Sequence, residues 1–180
     1  MDLQHLSQQI DELEAEPPFH LWNPPNCGDI DMRIKADGSW WYMGSPIGRI
    51  KLVKLFAKVL LLEDDKFYLK TPAEKVGIQV DDAPFVITDW KLIDTDDGKA
   101  IEVTSNLDHK AILSPKHPLE VVIDPEGNPK PYVTLHRRLK AAVHRNVYYQ
   151  WIEIADEKRV NGQDHLMLPS GNHQFSLGQF

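Results

Sequence analysis

Prolines and glycines are spread along this chain, and they limit the length of every helix and strand that it can form. Its 180 residues include 13 prolines and 10 glycines, and none of them are gathered in a low-complexity linker. Proline lacks the N–H that a helix interior or a central strand needs, and glycine favours turns. The sequence therefore predicts short elements joined by tight turns.

Composition indicates an ordinary globular protein that makes one domain or two small ones. Hydrophobic residues make up 42% and charged residues 26%, close to globular averages. The longest apolar run, residues 59–62, is far short of the roughly 20 residues that cross a bilayer. The acidic N-terminus does not resemble a secretory leader, and the single Cys27 cannot form an internal disulfide. We expect a cytoplasmic protein that does not bind membranes.

An amphipathic helix is predicted from Asp2 to about Ala15, before the break at Pro17–Pro18. Its apolar residues recur every three or four positions. This stripe is long enough to dock on the protein's own body or to form a dimer contact, and both interpretations stay open. The stripe consists of Leu3, Leu6, Ile10 and Leu13.

A hairpin follows, in which Ile30, Met32 and Ile34 alternate with polar residues and Asp37–Gly38 forms the turn. Trp40 and Trp41 lie next to each other on the return strand, so they must point to opposite faces. One tryptophan is then in the core, and the other lies at the surface, where it could take part in recognition.

A helical period replaces the strand period over residues 44–64, with Ser45 as N-cap and Pro46 at the first helical position. Strands are predicted next at residues 66–72, 75–80 and 85–94. The last of these enters a hairpin around residues 96–98, and shorter strands follow up to residue 135. A long helix is expected from about His136 to Asp156, and then a closing strand and turn.

Two similar units emerge from this order, because a proline-bearing turn leads into an arginine-opened helix in each half of the chain. The predicted class is α+β: two small packed units, each with antiparallel strands and one main helix, and an extra N-terminal helix. The predicted boundaries are 1–16 for that helix, 17–83 for the first unit and 84–180 for the second.

Several segments of the chain resemble a bacterial family, known as domain of unknown function 1285, over roughly residues 18–178. The most specific are DGSWWYMGSPIGR and TPAEKVGIQVDDAPF, supported by CGDIDMRI, LVKLFAKVL, HPLEV and SGNHQFSLG. The resemblance implies two domains of related α/β motif and a part in signalling or ligand sensing. It implies no catalytic residues, because none are established for the family.

The residue spacing of this chain does not match the known metal-binding or nucleotide-binding motifs. Asp29 and Asp31 share a strand face, but an alternating strand produces such a pair without any metal. The run at residues 94–98 places Ile93 and Thr95 where a calcium loop needs carboxylates. The eight histidines show no zinc spacing, and His136 and His144 are two helical turns apart. We expect no metal site and no cofactor.

The candidate nucleophiles also lack the neighbouring groups that would activate them. Cys27 has no base or helix N-terminus nearby in the sequence, which a reactive thiol needs. Ser170 and His173 lie without a nucleophile elbow, so a turn is the expected use of this segment. The sequence therefore favours a protein that is not an enzyme, and it predicts no catalytic residue.

Arginines at two predicted helix starts are the best leads to a ligand. Arg49 follows a glycine-bearing turn, where the first N–H groups of a helix could meet an anion. Arg137 and Arg138 oppose the dipole of the second predicted helix, which invites a counter-ion. Internal acids such as Glu74 could supply it, as could an anionic ligand or, less in keeping with a net charge of −7, nucleic acid.

The leading hypothesis is a non-enzymatic module that binds a small anionic ligand or a protein partner in a cleft between the two units. The alternatives are a metal-dependent hydrolase or transferase using Asp29, Asp31 or Glu74, and a scaffold that acts through the N-terminal helix, as in a homodimer. No nucleic acid is expected as a partner. The candidate ligand-binding residues are Trp40, Trp41, Arg49, Glu74, Arg137 and Arg138.

Overall fold

The structure, a computed structural model, describes residues 2–13 and 16–180. It divides the chain into two compact units, Met1–Asp82 and Ala83–Phe180, which are described separately below as unit 1 and unit 2. The predicted α+β class, with two units and an N-terminal helix, is confirmed. None of the described helices exceeds ten residues, too short to cross a bilayer.

Unit 1 is a six-stranded sheet with two helices. The helices are α1 (Leu3–Asp11) and α2 (Ile50–Lys58). The strands are β1 (Asn26–Ile34), β2 (Trp40–Tyr42), β3 (Ser45–Pro46), β4 (Leu60–Glu63), β5 (Lys66–Lys70) and β6 (Lys75–Val80). The strand order is β3-β2-β1-β6-β5-β4, with β1 and β6 parallel and every other neighbouring pair antiparallel.

The core of unit 1 contains residues from the sheet and from both helices. Trp40 stacks on Phe56 of α2 with 6.3 Å between the ring centroids. The N-terminal helix packs on α2 and buries Leu6 and Ile10 completely. Its apolar stripe is therefore in contact with the protein's own body, as one of the two interpretations predicted. The expected end of this helix, at about Ala15, lies outside the described residues.

The second predicted helix is shorter at both ends than the sequence suggested. Met43 and Gly44 both have left-handed backbone and form a two-residue turn, so Ser45 and Pro46 return as strand β3 instead of opening a helix. Beyond residue 59 the chain forms β4, which pairs with β5 across a left-handed turn. The apolar period continues into β4, but lateral pairing and burial decide its conformation.

Unit 2 contains a six-stranded sheet, a three-stranded sheet and α3 (Arg145–Ile154). The strands of the larger sheet are β7 (Phe85–Thr95), β8 (Gly98–Ser105), β9 (Lys110–Ile112), β10 (Leu119–Ile123), β11 (Pro129–Thr134) and β12 (Lys140–Val143). Their order is β10-β11-β12-β7-β8-β9, with β7 and β12 parallel. The smaller sheet consists of β13 (Asp156–Val160), β14 (Gln163–Ser170) and β15 (His173–Gln179).

The long helix predicted from His136 is wrong in its first half. Residues 136–138 form a tight turn, residues 140–143 form β12, and the helix begins only at Arg145. Ala141 and Val143 are buried while Lys140 is exposed, which is strand alternation over too few residues to be recognised. Pairing with both β7 and β11 makes the strand more favourable than the helix.

Candidate functional site

The two tryptophans point to opposite faces of the sheet in unit 1, as predicted. Trp40 is 2% exposed in the core, and its indole Nε1 has no hydrogen-bond partner in the described part of the chain. Trp41 is half-buried on the other face. Its Nε1 donates to Ser39 Oγ at 2.9 Å, and Lys35 Nζ lies 3.5 Å from its ring centroid. A role in recognition, for which only Trp41 is accessible, stays a prediction.

Arg49 and Glu74 occupy different places in unit 1. Arg49 is the exposed N-cap residue of α2 and makes no side-chain capping bond. Glu74 ends the turn between β5 and β6, and its Oε1 is buried without a hydrogen-bond partner in the described residues. No hydrogen bond, ion pair or ring contact joins either residue to Trp40 or Trp41 within residues 2–13 and 16–180.

Arg137 and Arg138 lie at the tip of the β11–β12 hairpin, not at a helix start. Leu135 N donates to Leu139 O at 2.7 Å and closes the loop around residues 136–138. Both arginines have left-handed backbone, with φ of 52° and 60°. This conformation costs a non-glycine residue roughly 1–2 kcal/mol. The two arginines therefore do not oppose a helix dipole, because α3 starts only at Arg145, after β12.

His136 precedes the two arginines, and its ring is partly buried among other aromatic rings. Its ring centroid lies 4.6 Å from that of His109 and 5.8 Å from that of Phe85. Arg137 Nη2 lies 2.9 Å from His136 Nε2. A guanidinium can only donate, so Nε2 must be the unprotonated nitrogen that accepts. His136 thus holds the guanidinium of Arg137 while remaining neutral.

Burial lowers the pKa of His136 to about 4, and the neighbouring charge of Arg137 adds to this effect. His109 and His117 contribute in the same direction. The imidazole of His136 is therefore neutral at pH 7, as its contact with Arg137 requires.

The two other histidines that lower the pKa of His136 lie in separate loops of unit 2. His109 follows the β8–β9 turn, where Ser105 Oγ lies 3.3 Å from its Nδ1 and accepts from its backbone N–H at 3.1 Å. His117 precedes β10, and its Nδ1 donates to Thr134 O at 3.1 Å. We call the set of His109, His117, His136, Arg137 and Arg138 the histidine–arginine cluster.

The side chains of this cluster can bind an anion. Ser105 is 2% exposed and caps its own turn, so it is not placed to attack a substrate. In residues 2–13 and 16–180 no group of three or more His, Cys, Asp or Glu side chains could hold a metal ion. Asp29, named in the metal-dependent alternative, has its carboxylate 2.6 Å from Lys66 Nζ. Guanidinium groups beside a neutral imidazole suit an anion.

The sequence analysis did not single out His109 or His117, and it considered His136 only together with His144, as two residues too far apart to share an ion. His136 and His144 were expected on one helix, but β12 separates them. Three separate loops bring the histidines of the cluster together, and none of the loops has a local motif. Left-handed arginines are equally invisible in a sequence, because no residue pattern marks them.

The comparisons with known proteins find one family over nearly the whole chain. The model described as domain of unknown function (DUF1285), N-terminal domain, matches residues 17–83. The model described as protein of unknown function (DUF1285), C-terminal domain, matches residues 84–177. No curated protein matches the chain.

Two solved structures are similar in sequence and in fold. A DUF1285 family protein from Silicibacter pomeroyi DSS-3 is 37% identical with a TM-score of 0.86, and the match covers 99% of this chain and 95% of that one. A second DUF1285 family protein, from Shewanella baltica OS155, is 28% identical with a TM-score of 0.56, over 71% of this chain and 94% of that one. The resemblance seen in the sequence is thus confirmed, and the chain belongs to the DUF1285 family, whose function is unknown.

Proposed function

We propose that this protein is a non-enzymatic binding module that holds a small anionic ligand at the Arg137–Arg138 turn of unit 2. One observation carries the proposal. Two successive arginines have left-handed backbone at a hairpin tip, and the first of them is held by a neutral imidazole. The ligand would carry a phosphate or carboxylate group, because a guanidinium binds both in a bidentate manner.

Backbone strain supports a functional use of this turn. Glycine or asparagine would adopt the left-handed conformation at a lower cost than arginine does. Residues kept in unfavourable backbone regions occur often at ligand sites, where the surrounding structure enforces them. Asp64 and Asp65 also have left-handed backbone, in the β4–β5 turn, but aspartate adopts this conformation more readily than arginine does.

The side chains of Arg137 and Arg138 differ in burial and in contacts, and each would contribute to anion binding in its own way. Arg137 is half-buried and bonded to His136, so less conformational freedom is lost when a ligand binds. Arg138 is exposed and makes no hydrogen bond or ion pair with any residue that the structure describes. The first arginine would position the ligand and the second would close on it.

A thermal-shift titration of the full chain tests this proposal. Inorganic phosphate, pyrophosphate, citrate and ATP would each be added at up to millimolar concentration. A ligand at one hundred times its Kd stabilises the folded state by about 2.7 kcal/mol, which raises Tm by several degrees. We expect at least one of these anions to raise Tm, with Arg138→Ala reducing the shift by more than half.

Arg145→Ala is the matched control, because Arg145 is an exposed arginine of the same unit at the start of α3. Its titration should follow that of the unaltered protein. The proposal fails if none of the four anions raises Tm, or if Arg138→Ala and Arg145→Ala respond equally.

We also propose that this binding module is cytoplasmic and takes part in signalling. The cytoplasmic location is supported by the single cysteine, Cys27, which is exposed and has no disulfide partner. Signalling is what the family resemblance implies, and a ligand-sensing module suits such a part. Cell fractionation with an antibody to the protein tests the location, and recovery in the periplasm or the medium would contradict it.

A further inference from the structure

An open groove lies in unit 2 beside an edge strand. Its volume is about 560 Å³, and it runs between strand β10 and strands β14 and β15. β10 is the edge strand of the larger sheet, and β15 is an edge strand of the smaller one. Edge strands carry unpaired backbone groups, which can pair with another chain.

The register of β10 shows which of its backbone groups face the groove. Thr134 N donates to Pro118 O at 3.1 Å, and Asp124 N donates to Asn128 O at 2.9 Å. In an antiparallel ladder, hydrogen-bonded pairs alternate with pairs that are not hydrogen-bonded. Residues 118, 120, 122 and 124 therefore bond to β11, and the N–H and C=O groups of Val121 and Ile123 point away from it.

The residues of β11 that face Val121 and Ile123 support this assignment of the hydrogen-bonded positions. Val121 pairs with Pro131 and Ile123 with Pro129, and neither proline has an N–H to donate. Val121 and Ile123 both line the groove, and Ile123 is 59% exposed. The open edge of β10 thus presents a short row of donors and acceptors that only another extended backbone can match in full.

The edge of β15, on the other side of the groove, is already blunted. Its register shifts between Leu166 and Met167, and Gly178 N donates to Ser176 Oγ at 3.3 Å. Such irregularities discourage strand pairing. β10 has no bulge in its pairing with β11, so the added strand would pair with β10 and use β15 as a wall.

Side chains around the groove define the partner further. Leu119 and Val121 supply apolar surface on the side of the core, and Glu120 is the only Asp, Glu, Lys or Arg of the lining. The Glu120 carboxylate lies 2.8 Å from Lys140 Nζ, and its side chain is 49% exposed. Because this carboxylate is half-exposed, a lysine or arginine on a partner strand could share it with Lys140, and the other residues of that strand would alternate between apolar and polar.

We propose that unit 2 binds an extended segment of a protein partner, with alternating apolar and basic residues, as a seventh strand on β10. This is independent of the anion site, because no residue of the histidine–arginine cluster lines the groove. A second copy of this chain could use the same edge, and the experiment below separates that outcome.

The test uses the full chain and an array of nonapeptides that alternate valine or isoleucine with lysine or threonine, beside arrays of the same compositions with the apolar residues clustered. We expect alternating peptides to bind better, and the strongest would be titrated by fluorescence anisotropy. Val121→Pro removes an outward N–H without touching the β10–β11 ladder, so Kd should rise at least tenfold. Val121→Thr keeps the N–H and the branched shape, and its Kd should change less than threefold.

Arg138→Ala should leave peptide affinity unchanged, which separates this proposal from the anion site. The proposal is overturned if no alternating peptide binds, or if Val121→Pro binds as well as Val121→Thr. It is also overturned if sedimentation shows a dimer that Val121→Pro converts to a monomer, because a second copy then occupies the edge.

Discussion

Arg138 is a residue whose backbone conformation and side chain favour different amino acids. Its φ of 60° favours glycine, and its exposed guanidinium has a chemistry that only arginine provides. The same holds for Arg137, which in addition contacts His136. At such a position, a substitution that suits the backbone should raise stability and weaken function, and both effects should be measurable.

Arg138→Gly should stabilise unit 2 by about 0.5–1 kcal/mol, since relief of roughly 1–2 kcal/mol of left-handed strain exceeds the extra chain entropy of glycine. Urea unfolding monitored by tryptophan fluorescence measures this. The same variant should lose the Tm shift with anions. A destabilised Arg138→Gly protein would show that the arginine side chain supports the fold itself.

His136 should make the folded state sensitive to acid. The unfolded chain takes up a proton near pH 6.5, whereas the folded chain keeps this imidazole neutral down to a pKa of about 4. Acid therefore favours unfolding across that window, and the contribution of His136 is complete above pH 6.5 and lost near pH 4. We expect a loss on the order of 1–2 kcal/mol, because the ring keeps part of its solvent exposure.

The measurement is urea unfolding at a series of pH values from 7 to 4. His136→Gln should show a shallower decline than the unaltered protein, and His173→Gln, which changes an exposed histidine, should show the original decline. Equal slopes for all three proteins would contradict a buried, neutral His136.

At the scale of elements, neighbours decide what short segments become. Residues 140–143 and 60–63 continue the apolar pattern of a helix, yet each is a strand with pairing partners in its sheet. Polar side chains also join elements that are far apart in the chain. Ser170, at the end of β14, accepts from Ile101 N at 3.0 Å and donates to Leu113 O at 2.8 Å.

Ser170→Ala should destabilise unit 2 by about 2 kcal/mol, because it leaves a buried N–H and a buried C=O without their partner. Ser170 is 1% exposed, so water cannot easily replace the hydroxyl. Urea unfolding measures the loss, and Ser45→Ala, an exposed serine on β3, is the control with an expected change below about 0.5 kcal/mol. Equal effects of the two substitutions would contradict a bonded Ser170.

At the scale of the whole molecule, the two large sheets have the same topology. Read from one edge, their orders are β3-β2-β1-β6-β5-β4 and β9-β8-β7-β12-β11-β10, so in each the first and last strands form the central parallel pair. In unit 1 the helix α2 joins the two halves of the sheet, and in unit 2 the helix follows the completed sheet. This agrees with the related α/β motifs that the family resemblance implied.

The sequence by itself determined the features that depend on few residues close together. Asp37–Gly38 placed a hairpin, adjacent tryptophans had to face opposite ways, and the apolar stripe of α1 marked a helix that buries Leu6 and Ile10. The specific segments around Trp40 and Glu74 identified the family. These features follow from steric limits and side-chain period, which act within a few residues.

Only the tertiary structure decided the rest. The parallel central pairs, the strand β12 and the histidine–arginine cluster all depend on segments that are far apart in the chain. A four-residue strand such as Lys140–Val143 gains its hydrogen bonds and burial from β7 and β11, so its own residues cannot reveal its conformation. The left-handed turn at Arg137 and Arg138 follows from that strand, and with it the site that we propose binds an anion.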